Sequence, residues 1–129
     1  MNYGSPGVGS SLHLIGELLK REAGINLVHV PYKGGGESLT GLLGGQVGMV
    51  YGIVGTVASQ IKSGKVRLLA INAGKRFSRL PEVPTVGETV QGFEKPASWF
   101  GYLGPAGIPR AVVTRLNQAV NKAMGVKDV

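Results

Sequence analysis

The stretch "YGSPGVGSSLH", Tyr3 to His13, is one residue short of a phosphate-binding signature. From Gly4 the pattern Gly-x-x-x-x-Gly-x-Ser runs through Gly9 and Ser11, with Ser10 where a P-loop carries its lysine. Behind it Leu12, Ile15, Leu18 and Leu19 recur at helical spacing. Ser10 or Ser11 can cap the helix they make, and Gly24 stops it. A glycine-serine loop opening a helix suits an anion, because glycine permits close backbone approach and the helix N-terminus presents unpaired N–H groups. Without the lysine, and with Asp128 as the only aspartate, nucleotide hydrolysis is not expected. A dinucleotide fingerprint fails as well, since Gly4, Gly7 and Gly9 do not form Gly-x-Gly-x-x-Gly.

Outward from this loop the apolar pattern alternates between extended and helical periods. "NLVHVPY" (Asn26 to Tyr32) reads as a strand ended by Pro31, and a short helix is expected over Ser38 to Leu43. "QVGMVYGIV" (Gln46 to Val54) reads as a second strand, with Gly48 and Gly52 marking a bulge or close backbone approach. A helix follows over Thr56 to Lys62, ended by Gly64. "KVRLLAIN" (Lys65 to Asn72) has the strongest strand composition, and its unbroken apolar run suits a sheet covered on both faces. After an irregular, proline-marked connection with one short helix near Val86 to Thr89, Ser98 to Pro105 reads as a strand. Pro109 to Met124 reads as an amphipathic helix started by its proline. This alternation predicts an α/β fold with a mostly parallel sheet flanked by helices.

Composition narrows the function. The chain has 129 residues, 43% of them hydrophobic, enough for one compact core. Its 14 Lys and Arg against 7 Asp and Glu give a net charge of +7, which admits anionic partners. The basic residues are spread singly from Lys20 to Lys127, and only "GKRFSR" (Gly74 to Arg79) clusters. That segment reads as a solvated surface, and no nucleic-acid partner is expected; a basic nucleic-acid-binding module stays as an alternative. Cysteine is absent, which excludes disulfides, thiolate metal sites and cysteine nucleophiles. No apolar run approaches a membrane span, and "MNYGSPG" lacks the basic and apolar regions of a secretion signal, so the chain as read is expected to be soluble and without a leader.

In a parallel α/β sheet ligands gather at the C-terminal ends of the strands. Four segments fit that placement: the loop from Gly4 to Ser11, "VPYKGGGES" with Tyr32 and Lys33, "YGIVGT" (Tyr51 to Thr56), and Ser98 to Tyr102, where Trp99 and Phe100 are candidate pocket walls. Catalysis fares worse. His13 falls on the first turn of a helix and His29 in mid-strand, no nucleophile elbow occurs, and neither histidine has a carboxylate nearby in sequence reading, so neither an enzyme nor a metal site nor a cofactor is expected.

Taken together, "YGSPGVGSSLHLIGELLKREAGINLVHVPYKGGGESLTGLLGGQV", "GKVRLLAINAGKRFSRLPEVPTVGET" and "WFGYLGPAGIP" resemble the second domain of Bug-type extracytoplasmic solute-binding receptors of tripartite tricarboxylate transporters. The resemblance implies a lobe of the type II periplasmic-binding-protein kind over residues 1–97. Residues 98–129 would then be a return strand and a C-terminal helix that packs on the lobe or on a partner chain. It implies binding of a small carboxylate by Ser5, Gly7, Gly9 and Ser10, by Tyr32, Lys33, Gly34 and Gly35, and by the turn Gly52, Ile53 and Val54. Membrane permease subunits are the implied partners and the periplasm the implied compartment, although the missing leader leaves the cytoplasm open. The first lobe preceding Tyr3 is expected to be missing, and aspartates common in the family are replaced by Gly41, Gly48 and Gly52. With that lobe absent, the stripe Val112, Leu116 and Val120 is expected to drive self-association; a non-binding remnant acting only through such assembly is the alternative function.

Overall fold

The computed structural model describes residues 1–94 and 101–125. The chain divides into two compact units, one over Met1–Ser98 and a second over Trp99–Val129. In the first, β1 (Asn2–Ser5), α1 (Ser11–Ala23), β2 (Val28–Pro31), α2 (Gly35–Leu43), β3 (Met49–Val50) and α3 (Val54–Lys62) follow in order, with a 3₁₀ turn at Val86–Glu88. The three strands form a parallel sheet of order β2-β1-β3. Tyr3 pairs with His29 on one side and with Met49 on the other, so the quoted N-terminal stretch begins as the central strand.

That centre is where the core forms. Tyr3, Ile15, Leu27, Tyr51 and Phe93 are buried together, with Leu12, Leu18 and Leu19 of α1 packed against them. The Tyr3 ring meets Tyr51 edge-on at 5.4 Å between centroids, a favourable aromatic geometry. α1 can reach this ring because residue 16 is glycine: a methyl group there would sit 2.5 to 2.7 Å from the ring edge and hydroxyl of Tyr3. Gly4 serves β1 in the same way, since a side chain there would meet the Tyr32 ring at 2.9 Å and Val50 at 3.2 Å.

Local signals placed the helix ends where they are. Ser10 caps α1 by accepting the His13 N–H at 3.1 Å, and Gly24 ends it in the left-handed region at φ 62°. Elsewhere the expectation needs correction. α2 begins at Gly35 and not at Ser38, so the glycines enter its first turn. The strand expected over Gln46 to Val54 shortens to Met49–Val50. Lys65 to Asn72 is not a strand: among the described residues its one ladder contact is a parallel bridge between Ile71 and Thr85, where Ile71 N–H donates to Pro84 O and Ile71 O accepts from Val86 N–H. A strand requires a partner along its length, and between this segment and β3 lies a cavity of about 560 Å³ lined by Val50, Val57, Ile61 and Leu68. The Tyr51 hydroxyl and Asn72 Oδ1 are buried without a hydrogen-bond partner among the described residues.

The second unit is described from residue 101. Residues 101–105 lie outside any strand, a turn follows with Gly107 at φ 84°, and α4 (Arg110–Met124) starts from Pro109. The rest of the strand expected over Ser98 to Pro105, with Trp99 and Phe100, lies outside the described residues.

Gly16→Ala tests the contact between α1 and the sheet. The added methyl should destabilise the chain by about 1–3 kcal/mol despite the higher helix propensity of alanine. A lowered denaturant midpoint at unchanged slope would measure it.

Candidate functional site

Parallel pairing puts the C-terminal ends of β1, β2 and β3 on one edge, and each strand runs directly into a helix. The three connecting loops are stitched together: Tyr32 N–H donates to Ser5 O at 3.0 Å and Tyr51 N–H to Gly4 O at 3.0 Å. A side chain at Gly7 would lie 3.5 Å from Tyr32 O, and one at Gly35 would lie 3.8 Å from Thr56 Cγ2. The N-termini of α1, α2 and α3 therefore share one edge, each with first-turn N–H groups that no intrahelical acceptor can satisfy.

The expected residues take different places on that edge. Gly7 (φ 140°) and Gly9 (φ 77°) hold backbone conformations that strain other residues, and they shape the first loop. Ser10 bonds inward, its Oγ donating to Gly7 O at 2.8 Å while capping α1. Ser5 is fully buried, and its Oγ is bonded to His29 Nε2 at 2.7 Å. Lys33, Gly52 and Ile53 are exposed, Ile53 at 56%; Gly34, Gly35 and Val54 are half-buried. The Tyr32 hydroxyl points away from the loops. It donates to Gln46 Oε1 at 3.4 Å, and its ring fills the space beside Gly4 and Gly41. An aspartate at position 41 would collide with that ring, a packing reason for this glycine.

Three features of the edge were not read from the sequence. Glu37 occupies the first turn of α2 and accepts the Lys33 N–H at 3.1 Å, so one helix mouth already holds a carboxylate. The first turns of α1 and α3 carry no acidic residue. The "GKRFSR" segment, read as solvated surface, lines with Val54 and Gly55 an open cleft of about 860 Å³ at the start of α3, to which it brings Lys75, Arg76 and Arg79. Arg76 is committed to Glu88, Nε donating to Oε1 at 3.0 Å, and to Pro81 O at 2.9 Å. Finally, His13 and His29 stack, and His13 Nε2 lies 3.9 Å from Glu17 Oε1, which corrects the expectation of histidines without a nearby carboxylate. Among the described residues no three His, Asp or Glu side chains group as a metal site.

The family model described as tripartite tricarboxylate transporter family receptor matches residues 1–128. The chain belongs to this family. It is 39% identical over 131 residues to a protein encoded in the tcbD-tcbE intergenic region of a Pseudomonas species, covering 100% of this chain and 39% of that relative. Protein BugT of Bordetella pertussis is 34% identical over 122 residues, 95% of this chain and 37% of its own length. Among solved structures, Rpa4515 of R. palustris with adipate superposes at a TM-score of 0.87 with 34% identity, over 99% of this chain and 43% of that one. MatC of Rhodopseudomonas palustris with bound malate gives 0.78 with 28% identity, over 99% and 44%. The chain thus spans about two fifths of the length of these relatives. The expected resemblance and α/β fold agree with these likenesses, and the family is one of receptors, not of enzymes.

The Arg76–Glu88 pair that backs the cleft makes a pH prediction. Hydrogen bonds from the Arg76 guanidinium, and then from the Thr85 N–H, lower the Glu88 carboxyl to about 2. A depressed carboxylate lends its stability above the ordinary carboxylate value and loses it as pH falls through the folded one. The Glu88 carboxyl resonance should therefore titrate near 2 in the folded chain, and Arg76→Ala should move that midpoint up towards the ordinary range.

Proposed function

We propose that this chain is a ligand-binding lobe of a solute receptor for a tripartite tricarboxylate transport system, and that its ligand is a small carboxylate held at the shared edge. The observation that carries this reading is the convergence of three helix N-termini and a glycine-shaped loop on that edge. Gly7, Gly9 and Ser10 border one mouth, Lys33, Gly34 and Gly35 the second, and Gly52, Ile53 and Val54 the third. Ser5 and Tyr32 lie behind the loops and act by shaping them. Backbone N–H groups at a helix N-terminus bind anions without needing a lysine in the loop. Lys33, Lys75 and Arg79 supply positive charge at the margin. That two structurally similar proteins carry adipate and malate supports a carboxylate over a phosphate. The implied partners are the membrane permease subunits of the transporter and the implied compartment is the periplasm, as for BugD, a periplasmic binding protein at a TM-score of 0.79.

Ser10→Asp keeps an N-cap on α1 while giving up the bond to Gly7 O. Aspartate is as good an N-cap as serine, so α1 should remain intact, while its charge occupies the α1 mouth. Adipate affinity, followed by amide shifts of Gly7, Gly9 and Gly34, should fall by about tenfold or more, a loss of about 1.4 kcal/mol. Equal affinity in the variant would remove α1 from the site.

A second reading concerns assembly. On α4, Val112 is 45% and Leu116 56% exposed, and with Val120 they make an apolar stripe that we propose as a self-association surface. Sedimentation should detect concentration-dependent association that Leu116→Glu abolishes, and a monomer at all concentrations would refute it.

A further inference from the structure

Two histidines that the carboxylate reading leaves unused lie against the Gly7–Ser10 loop. His13, on the first turn of α1, and His29, in β2, stack with ring centroids 4.1 Å apart and planes inclined by 30°. Each ring holds a different part of the loop. The Gly9 N–H donates to His13 Nδ1 at 3.1 Å, so this nitrogen is an acceptor and the proton of the neutral ring sits on Nε2, the atom that faces Glu17. On the other side Ser5 Oγ, bonded to His29 Nε2, accepts the Gly7 N–H at 3.4 Å.

The groups facing the pair are few. From α1 come Glu17, whose Oε2 takes Lys20 Nζ at 2.7 Å and whose Oε1 takes the Tyr3 hydroxyl at 2.8 Å, and Lys20 itself. From β1 come the Tyr3 ring, 5.0 Å from His29, and Ser5. Burial, followed by the charge of a protonated His13, holds His29 below the ordinary imidazole value. Two imidazoles in contact resist carrying a charge each, and His13 is the ring whose Nε2 meets a carboxylate.

We propose that His13 is a positioning residue for the loop: a proton on Nδ1 turns the Gly9 N–H from the ring to the mouth of α1, so that the loop takes up a carboxylate together with a proton. Protonated Nδ1 is a donor facing a donor, and the bond to Gly9 is lost. Gly9 is exposed at φ 77°, and beyond its chain neighbours no atom lies within 4 Å of where a side chain would stand, so no packed group opposes a turn of its amide. The freed N–H and the new positive charge both favour an anion. Linkage makes the effect reciprocal: the carboxylate strengthens proton binding by the factor that the proton strengthens carboxylate binding. The carboxylate half of the proposal rests on the function proposed above; the loop movement does not.

The test therefore has two readouts on the whole chain. Without ligand, the Gly9 amide proton should shift between a lower and a higher pH in step with protonation of the His13 ring nitrogens, both followed by NMR in the same series. His13→Asn, which keeps an acceptor near the Nδ1 position and cannot titrate, should leave that amide still. With adipate as probe, affinity should be tighter at the lower pH by about fivefold, the low end of ordinary coupling between sites, and the variant should lose the difference. A Gly9 amide that ignores the His13 titration overturns the proposal whether or not adipate binds. Adipate that binds equally at both pH values, or a pH dependence that survives His13→Asn, overturns the coupling while the carboxylate site stands. Adipate that binds at neither pH overturns the carboxylate reading and the coupling, and the ligand-free shift alone then decides the loop movement.

Discussion

The phenol of Tyr3 occupies the space between the sheet and α1, and both are placed by it. It is fully buried, its ring lies against the bare backbone of Gly16, and its hydroxyl donates to Glu17. Burial, and then the bond to Glu17, pushes that phenol well above its ordinary value, which favours the neutral, donating form. Glu17 is drawn to the same spot by Lys20 and then by Tyr3, which holds its carboxyl below the ordinary range. A helix fixed at Gly16 and Glu17 cannot slide along the sheet without leaving one of these contacts. Its N-terminal turn, with Ser10 and His13, is thereby held over the end of β1, where the first loop needs it.

How much of this was legible follows from whether a signal is local. The cap at Ser10 and the stop at Gly24 use side chains and backbone within a turn of α1, so composition and spacing sufficed. β1 gave no such sign, because Gly4 and Ser5 have poor strand propensity. They are extended because strands pair on both sides, and Gly4 is needed where Tyr32 and Val50 close in. Lys65 to Asn72 errs in the opposite direction. Its composition suits a strand, but pairing is a property of two segments, and Ile71 finds its partners around Thr85 instead of on β3.

The candidate site divides in the same way. The glycine loop and the ends of β2 and β3 could be read, since both rest on residue type and order. Tyr32 was read as facing the ligand because it follows a strand, whereas the gap left by Gly41 draws its ring sideways beneath α2. The stacking of His13 on His29 could not be read. It depends on the register that sets Tyr3 beside His29 and on the pitch of α1 over β1.

The electrostatics of the edge argue for a ligand selected by geometry more than by charge. At the α1 and α3 mouths the attraction comes from backbone N–H groups, each a partial charge, while Glu37 already satisfies part of the α2 mouth. The full positive charges, Lys33, Lys75 and Arg79, are exposed, where water and salt screen them. A phosphate carries up to two charges on three oxygens, and this loop has Ser10 where a P-loop lysine would meet them with a full charge. A carboxylate presents two oxygens in one plane and needs fewer donors to be satisfied. Because amide dipoles act far more strongly once water is excluded, the N–H groups of such an edge attract an anion most when another surface covers them. An uncovered edge would therefore bind weakly and still discriminate, since the directions of its N–H groups are set by the fold and do not depend on the cover.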